Sequence, residues 1–300
     1  MTVTSAGTSA DLAAPVQTER LSQGPVMAIG GAEDKFRDRV ILSRFVELSG
    51  GKDARIVVIP TASSIESAGE RYKAIFLGMG ASQVDIAVIG DRPDANSELV
   101  VRMIRQATGI FMTGGNQMRL AAIIGGTKAM NAILDRSLHS AVVAGTSAGA
   151  SILSSHMVAF GSSGNSPKMR MAQMVAGFGL VTGAIIDQHF RQRDRLGRLM
   201  MMVASNPSLL GVGVDEDTAA IFTSDGKLEV IGKHSVTIID GSEAYSDVYR
   251  VKRHGGITLS GAKIHVLTSG HIFDMVSRTL IGTPAMIVPD GATEIVQQPV

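Results

Sequence analysis

A chain of 300 residues is long enough to bury a full core, and 45% apolar with 18% charged residues is a globular composition, not a disordered one. A formal net charge of +1 supplies no basic field of the kind that holds nucleic acid, so any charge recognition is local. With no cysteine there is no disulfide, thiolate metal site or cysteine nucleophile, and no apolar run reaches the ~20 residues of a membrane span. Sixteen methionines and no tryptophan predict an aliphatic core with flexible methionine filling. Residues 1–24, rich in Ala, Ser and Thr and without a basic-then-apolar order, read as a flexible leader before a single domain over 25–300. The cytoplasm is the expected location.

From Pro25 the text alternates between short apolar runs and helical periodicity. A strand over 26–29 ends in Gly30-Gly31, and Phe36, Val40, Ile41, Phe45 and Leu48 place a helix over about 34–48. A strand over 55–60, a helix over 67–77, a strand over 84–90, a helix over 96–106 and a strand over 109–112 follow, the last ending in Thr113-Gly114-Gly115-Asn116-Gln117. Such alternation predicts an α/β fold, a mostly parallel sheet flanked by helices on both faces, with ligands bound beyond the carboxyl ends of its strands. Gly30-Gly31-Ala32-Glu33 is not a dinucleotide loop, because the third glycine is missing and an acid stands where a pyrophosphate would sit.

Residues 141–144 form a strand that enters Gly145-Thr146-Ser147-Ala148-Gly149 and then a helix start. In a strand-to-helix elbow a strained backbone pushes the serine hydroxyl into the open, and the glycines let strand and helix approach. Ser147 is therefore a candidate nucleophile, and the amide of Ala148 a candidate oxyanion donor. A Gly/Ala/Ser-rich turn with no chemistry produces the same five letters. The following polar loop, 160–167, is either a pocket rim or a surface connection.

A strand over 180–187 runs into Asp187-Gln188-His189, which puts His189 at a strand end within reach of a nucleophile. Arg191, Arg193, Arg195 and Arg198 fall within eight residues, ahead of a helix through 199–203 that Asp194 is placed to cap. Four arginines there read either as a solvated basic face or as an anion site, and the macrodipole opposes positive charge in a first helical turn. A strand over 209–214 leads into Asp215-Glu216-Asp217, any of which is able to orient a histidine or to form an acidic turn. Beyond Gly226, short strands at 228–231, 236–239, 248–251, 264–267 and 285–288 predict an antiparallel extension of the same domain.

Together, Gly-Thr-Ser-Ala-Gly-Ala at Ser147, Asp-Gln-His-Phe with the spaced arginines at His189, Val-Asp-Glu-Asp-Thr-Ala at Glu216 and Thr-Gly-Gly-Asn-Gln at 113–117 resemble the cyanophycinases, within the serine peptidase family that also holds aspartyl dipeptidases. The resemblance implies a class I glutamine-amidotransferase-like fold and a triad of Ser147, His189 and Glu216, with Gly115 and Ala148 as oxyanion donors. It implies substrate contacts at Gln117, Asp187, Gln188, Arg193, Arg195 and Arg198, no metal, no cofactor and a homodimer. The implied substrate is cyanophycin, a poly-aspartate whose side chains carry arginine in isopeptide linkage, or a peptide containing β-aspartyl-arginine. Its dense free carboxylates suit guanidinium forks, while Asp187 and Gln188 are suited to amide or guanidinium donors. The implied product is the β-aspartyl-arginine dipeptide. Two other functions stay open: a dipeptidase for small aspartyl or isoaspartyl peptides, and a binding module that keeps the fold without chemistry.

Overall fold

The computed structural model describes residues 23–282. Its first half alternates β1 (Val26–Ile29), α1 (Val40–Leu48), β2 (Arg55–Ile59), α2 (Ala68–Gly78), β3 (Gln83–Ile86), α3 (Arg92–Ala95), α4 (Glu98–Gln106), β4 (Gly109–Met112), α5 (Gln117–Ile124), α6 (Lys128–Leu138) and β5 (Val142–Thr146). After the elbow come α7 (Ala148–Ser151), the hairpin β6 (His156–Gly161) and β7 (Ala172–Ala176), then β8 (Ala184–Asp187), α8 (Leu196–Ser205), β9 (Leu210–Val214) and β10 (Thr218–Phe222). The remaining described strands are β11 (Lys227–Gly232), β12 (Ser235–Asp240), β13 (Tyr245–Ser246), β14 (Leu259–Ser260), β15 (Lys263–Thr268), β16 (Ile272–Asp274) and β17 (Thr279–Gly282).

A nine-stranded sheet in the order β17-β16-β11-β10-β1-β5-β4-β2-β3 is the centre of the fold. From β1 to β3 every pairing is parallel, and from β1 outward through β10 every pairing is antiparallel. Because side chains alternate along a strand, the parallel half buries both faces. Met27, Ile56, Val58, Phe111 and Val142 face α1 and α2, where Phe45, Tyr72 and Phe76 pack. Ala28, Val57, Ile110, Met112 and Val143 face the opposite way, onto Ile104 of α4 and Ile133 of α6.

The strands that carry His189 and Glu216 differ from the single sheet predicted. β8 and β9 pair in parallel in a separate four-stranded sheet, ordered β15-β12-β9-β8. Ile186, Val212 and Ile238 of that sheet share one core with Ala220, Leu228 and Val230 of the large sheet, while Ile185 and Ile239 turn away to pack with Leu199, Met202 and Val203 of α8. The predicted antiparallel extension is present as β11, β12 and β15, to which β16 and β17 add strands that the sequence does not mark.

Local departures have local causes. Helix α1 starts at Val40 rather than near 34, because the Asp34 carboxylate accepts the amides of Phe36, Arg37 and Arg39 and closes a turn instead. Asp194 does not cap α8. It adopts a left-handed conformation, and Arg195 occupies the cap position without a side-chain capping hydrogen bond. Residues 248–251 form a turn, with the Arg250 amide on Asp247 O, rather than a strand. Helices α5 and α6 fill a stretch in which the sequence marks no element. The strand at 285–288 and nearly all of the 1–24 leader lie outside the described residues. Among the described residues no helix is long and apolar enough to cross a membrane.

Candidate active site

Ser147 stands between β5 and α7 with φ 52° and ψ −110°, outside the comfortable backbone regions for an L-residue. The turn is closed to backbone contact: a Cβ on Gly145 would lie 2.0 Å from Gly149 O. Such strain costs about 1–3 kcal/mol and persists only where the surroundings over-determine it. The Ser147 amide is spent on Ile29 O at 3.0 Å, and Ala148, the next residue, opens the helix. The Gly114-Gly115 turn lies alongside, where a Cβ on Gly114 would be 3.2 Å from the Ser147 Cβ.

β8 and β9 are in register, with Asp187 opposite Gly213, so the turns beyond them emerge side by side. His189 Nε2 lies 2.9 Å from Ser147 Oγ, and His189 Nδ1 lies 2.6 Å from Glu216 Oε1. The three consecutive carboxylates divide. Asp215 is buried and accepts the Arg191 amide at 3.0 Å and the Ser235 hydroxyl at 2.9 Å, while Asp217 Oδ1 accepts the Asp34 amide at 2.8 Å. Glu216 alone meets the histidine, and its own amide is held by Gln192 Oε1 at 3.0 Å. Burial pushes the His189 imidazole below its ordinary pKa; the Glu216 hydrogen bond opposes this, and the Arg193 and Arg195 charges reinforce it. A neutral imidazole between a hydroxyl and a carboxylate is equipped to take the hydroxyl proton and to be held in one tautomer.

Beside Ser147 opens a cavity of about 430 Å³, walled by Gly115, Gln117, Gln188, Arg193, Arg195 and Arg198, with Phe160 and Gly161 at its edge. The arginines are not equivalent. Asp187, 1% exposed, receives Arg198 Nε at 2.6 Å, Arg198 Nη2, and Arg195 Nη1 at 3.2 Å. The guanidinium donors expected at Asp187 thus come from its own chain, and Asp187 is not part of the cavity wall. Arg195 also donates to Gln188 O, and burial draws its pKa down to about 10 against the pull of Asp187. Arg193 is exposed and forms no ion pair among the described residues. Gln117 spends its amide nitrogen on Val158 O and Ala159 O, at 3.1 and 2.6 Å, and so ties β6 to the cavity. Gln188 Oε1 and Arg195 Nε are buried with no partner, the condition of groups in a site built to receive a ligand.

The loop at 160–167 proves to be a rim. Its Gly164 amide bonds Asp194 O and its Gly164 carbonyl accepts the Gly197 amide, at 2.6 and 2.8 Å, so it leans on the arginine segment. Phe160 and Gly161 also border a second cavity of about 830 Å³ carrying Lys168, Arg170 and His254. These three, Gln192 and the contacts of residues 30–34 described below adjoin the site, and the sequence does not single them out.

Residues 26–231 match the family model for peptidase family S51. The chain belongs to this family. It is 40% identical to a protein named cyanophycinase from Synechococcus elongatus, over 84% of this chain and 80% of that one. It is also 39% identical to the cyanophycinase of Nostoc sp., over 89% and 90%. In fold it is similar to the crystal structure of a peptidase from an acI-B1 Actinobacterium, with a TM-score of 0.61 and 21% identity over 85% of this chain and 98% of that one. Membership in S51 makes the chain a serine peptidase, a hydrolase.

Proposed function

We propose that this S51 peptidase degrades cyanophycin, cleaving the poly-aspartate backbone and releasing β-aspartyl-arginine. The observation that carries the proposal is the Ser147–His189–Glu216 chain of hydrogen bonds opening onto a cavity walled by arginines. Ser147 Oγ attacks an aspartyl backbone carbonyl while its proton passes to His189 Nε2, and Glu216 holds the imidazole and stabilises its charge. The amides of Gly115 and Ala148 receive the oxyanion. The carbonyl–nitrogen bond then breaks, His189 returns the proton to the leaving amine, and a water deprotonated by the same nitrogen hydrolyses the ester and frees the serine.

Arg193 is the free guanidinium for a substrate arginyl carboxylate. Arg195 and Arg198 keep part of their donor sets for it, while Asp187 fixes their orientation. Gln188 Oε1 and the oxygen of the Gln117 side chain accept substrate N–H groups. The larger cavity beyond Phe160 continues the cationic lining and favours a polymer over an isolated dipeptide. The same proposal takes 25–300 as one peptidase domain, in the cytoplasm, and the protein as a homodimer, which sedimentation equilibrium tests.

The experiment is clearing of an insoluble cyanophycin suspension, with mass analysis of the products, by wild type and Ser147→Ala. Clearing to β-aspartyl-arginine by wild type alone is the expected result. Cleavage of small aspartyl or isoaspartyl dipeptides without clearing would replace the polymer by the dipeptide as substrate.

A further inference from the structure

Each member of the triad sits in or beside a residue with left-handed φ: Ser147 at 52°, His189 at 45°, and Asp217, next to Glu216, at 49°. Backbone of this kind is held by its surroundings or not at all. One short segment, residues 30–34 at the carboxyl end of β1, touches all three turns. Gly30 O accepts the His189 amide at 2.8 Å, and Gly31 O accepts the Asp217 amide at 2.9 Å. Gly31 lies against the imidazole itself: a Cβ there would fall 2.4 Å from His189 Cε1, and its φ of +99° suits glycine alone. β1 is placed for this task, since Ile29 is in register with Thr146 on one side and with Ala219 on the other.

The contact with the serine turn is made by a side chain. Glu33 is 3% exposed, and its Oε2 accepts the Thr146 hydroxyl at 2.6 Å, one residue before Ser147. Its Oε1 accepts the Tyr72 hydroxyl and pairs with Lys35 Nζ at 3.0 Å, and that ammonium stands 5.5 Å over the Tyr72 ring. A buried carboxylate is kept only where it is paired and hydrogen-bonded, and this one has partners on both oxygens.

We propose that Glu33 is a positioning residue of the peptidase reaction: paired with Lys35, it holds Thr146 through Oε2 and thereby the Ser147 turn at bonding distance from His189. The proposal rests on Ser147 being the nucleophile. It adds a second requirement for a competent elbow, a buried acid outside the triad that touches neither substrate nor reacting atoms.

Two substitutions each remove one hydroxyl from the same carboxylate, and only one of those hydroxyls leads to the elbow. Thr146→Val is expected to lower kcat between about 10- and 100-fold with KM within twofold, and to slow fluorophosphonate labelling of Ser147 in parallel. Tyr72→Phe, measured at equal folded fraction, is expected to keep kcat within about threefold, and Thr146→Ser to restore it. Wild-type kcat in Thr146→Val, or an equal fall in Tyr72→Phe, overturns the proposal. Should Thr146→Val fail to fold, Glu33→Gln gives the same readout: a fall in kcat at constant KM supports it and an unchanged kcat overturns it. An unlabelled, inactive wild type would instead strike at the nucleophile, and is seen before any variant is compared.

Discussion

The catalytic corner and the arginine wall adjoin the same cavity but are built differently. At the corner, three turns beyond β5, β8 and β9 bring serine, histidine and glutamate together through backbone geometry, with the histidine bonded to one of the others at each ring nitrogen. Around the wall, four arginines of one segment meet three fates: Arg191, outside the cavity lining, pairs with Asp215, Arg195 and Arg198 share Asp187, and Arg193 forms no ion pair among the described residues. A triad is specified by where its turns lie, whereas a cationic wall is specified by which charges are already spent. Residue type alone tells the first story and not the second.

The sharpest break in the comparison is Ser147→Ala, which should remove about 10⁶-fold in kcat, the scale on which loss of a triad serine acts, with the thermal midpoint unchanged. A substitution beneath the wall should instead reach the fold. Asp187→Ala leaves two buried guanidiniums without their carboxylate and should cost about 3–5 kcal/mol of stability, read from a urea melt. Arg193→Ala, by contrast, should leave that melt unaltered and raise KM for cyanophycin about tenfold, the worth of one charge-assisted hydrogen bond. If Arg193→Ala and Asp187→Ala behaved alike, the division of the arginines would be wrong.

The smallest effect joins the two regions. Burial and the nearby arginines lower the His189 pKa, so the acid limb of kcat/KM should lie below the ordinary histidine value of about 6.5. Activity is lost as pH falls through that limb, because protonated His189 cannot accept the serine proton. Removing the Arg193 charge relieves part of the depression, so in Arg193→Ala the limb should move to higher pH.

How much of this was legible in the sequence follows the same division. The elbow reads from five residues only together with the strand before and the helix after them, and the parallel half of the sheet reads from its apolar runs. The neighbours of β8 and β9 do not. Their runs look like those of β1 and β4, and only packing decides that they pair with each other, and β9 with β12, in a separate sheet instead. Spacing places Arg195 and Arg198 on one helical face, but Asp187 beneath them is eleven residues from Arg198 and reads equally well as a pocket acid. Among Asp215, Glu216 and Asp217 no spacing rule selects the partner of His189; the resemblance names Glu216, whose Oε1 lies 2.6 Å from the imidazole. Glu33 shows the limit most clearly. Next to a glycine pair it argues against a phosphate loop, yet what it binds, Thr146, is 113 residues away.

The most direct test of the account is the mass of the protein after reaction with a fluorophosphonate, followed by peptide mapping. One adduct on the peptide carrying Ser147, lost in Ser147→Ala and slowed in a His189 substitution, is the predicted result. An adduct on another residue, or none on a wild type that clears cyanophycin, would contradict the assignment of the nucleophile.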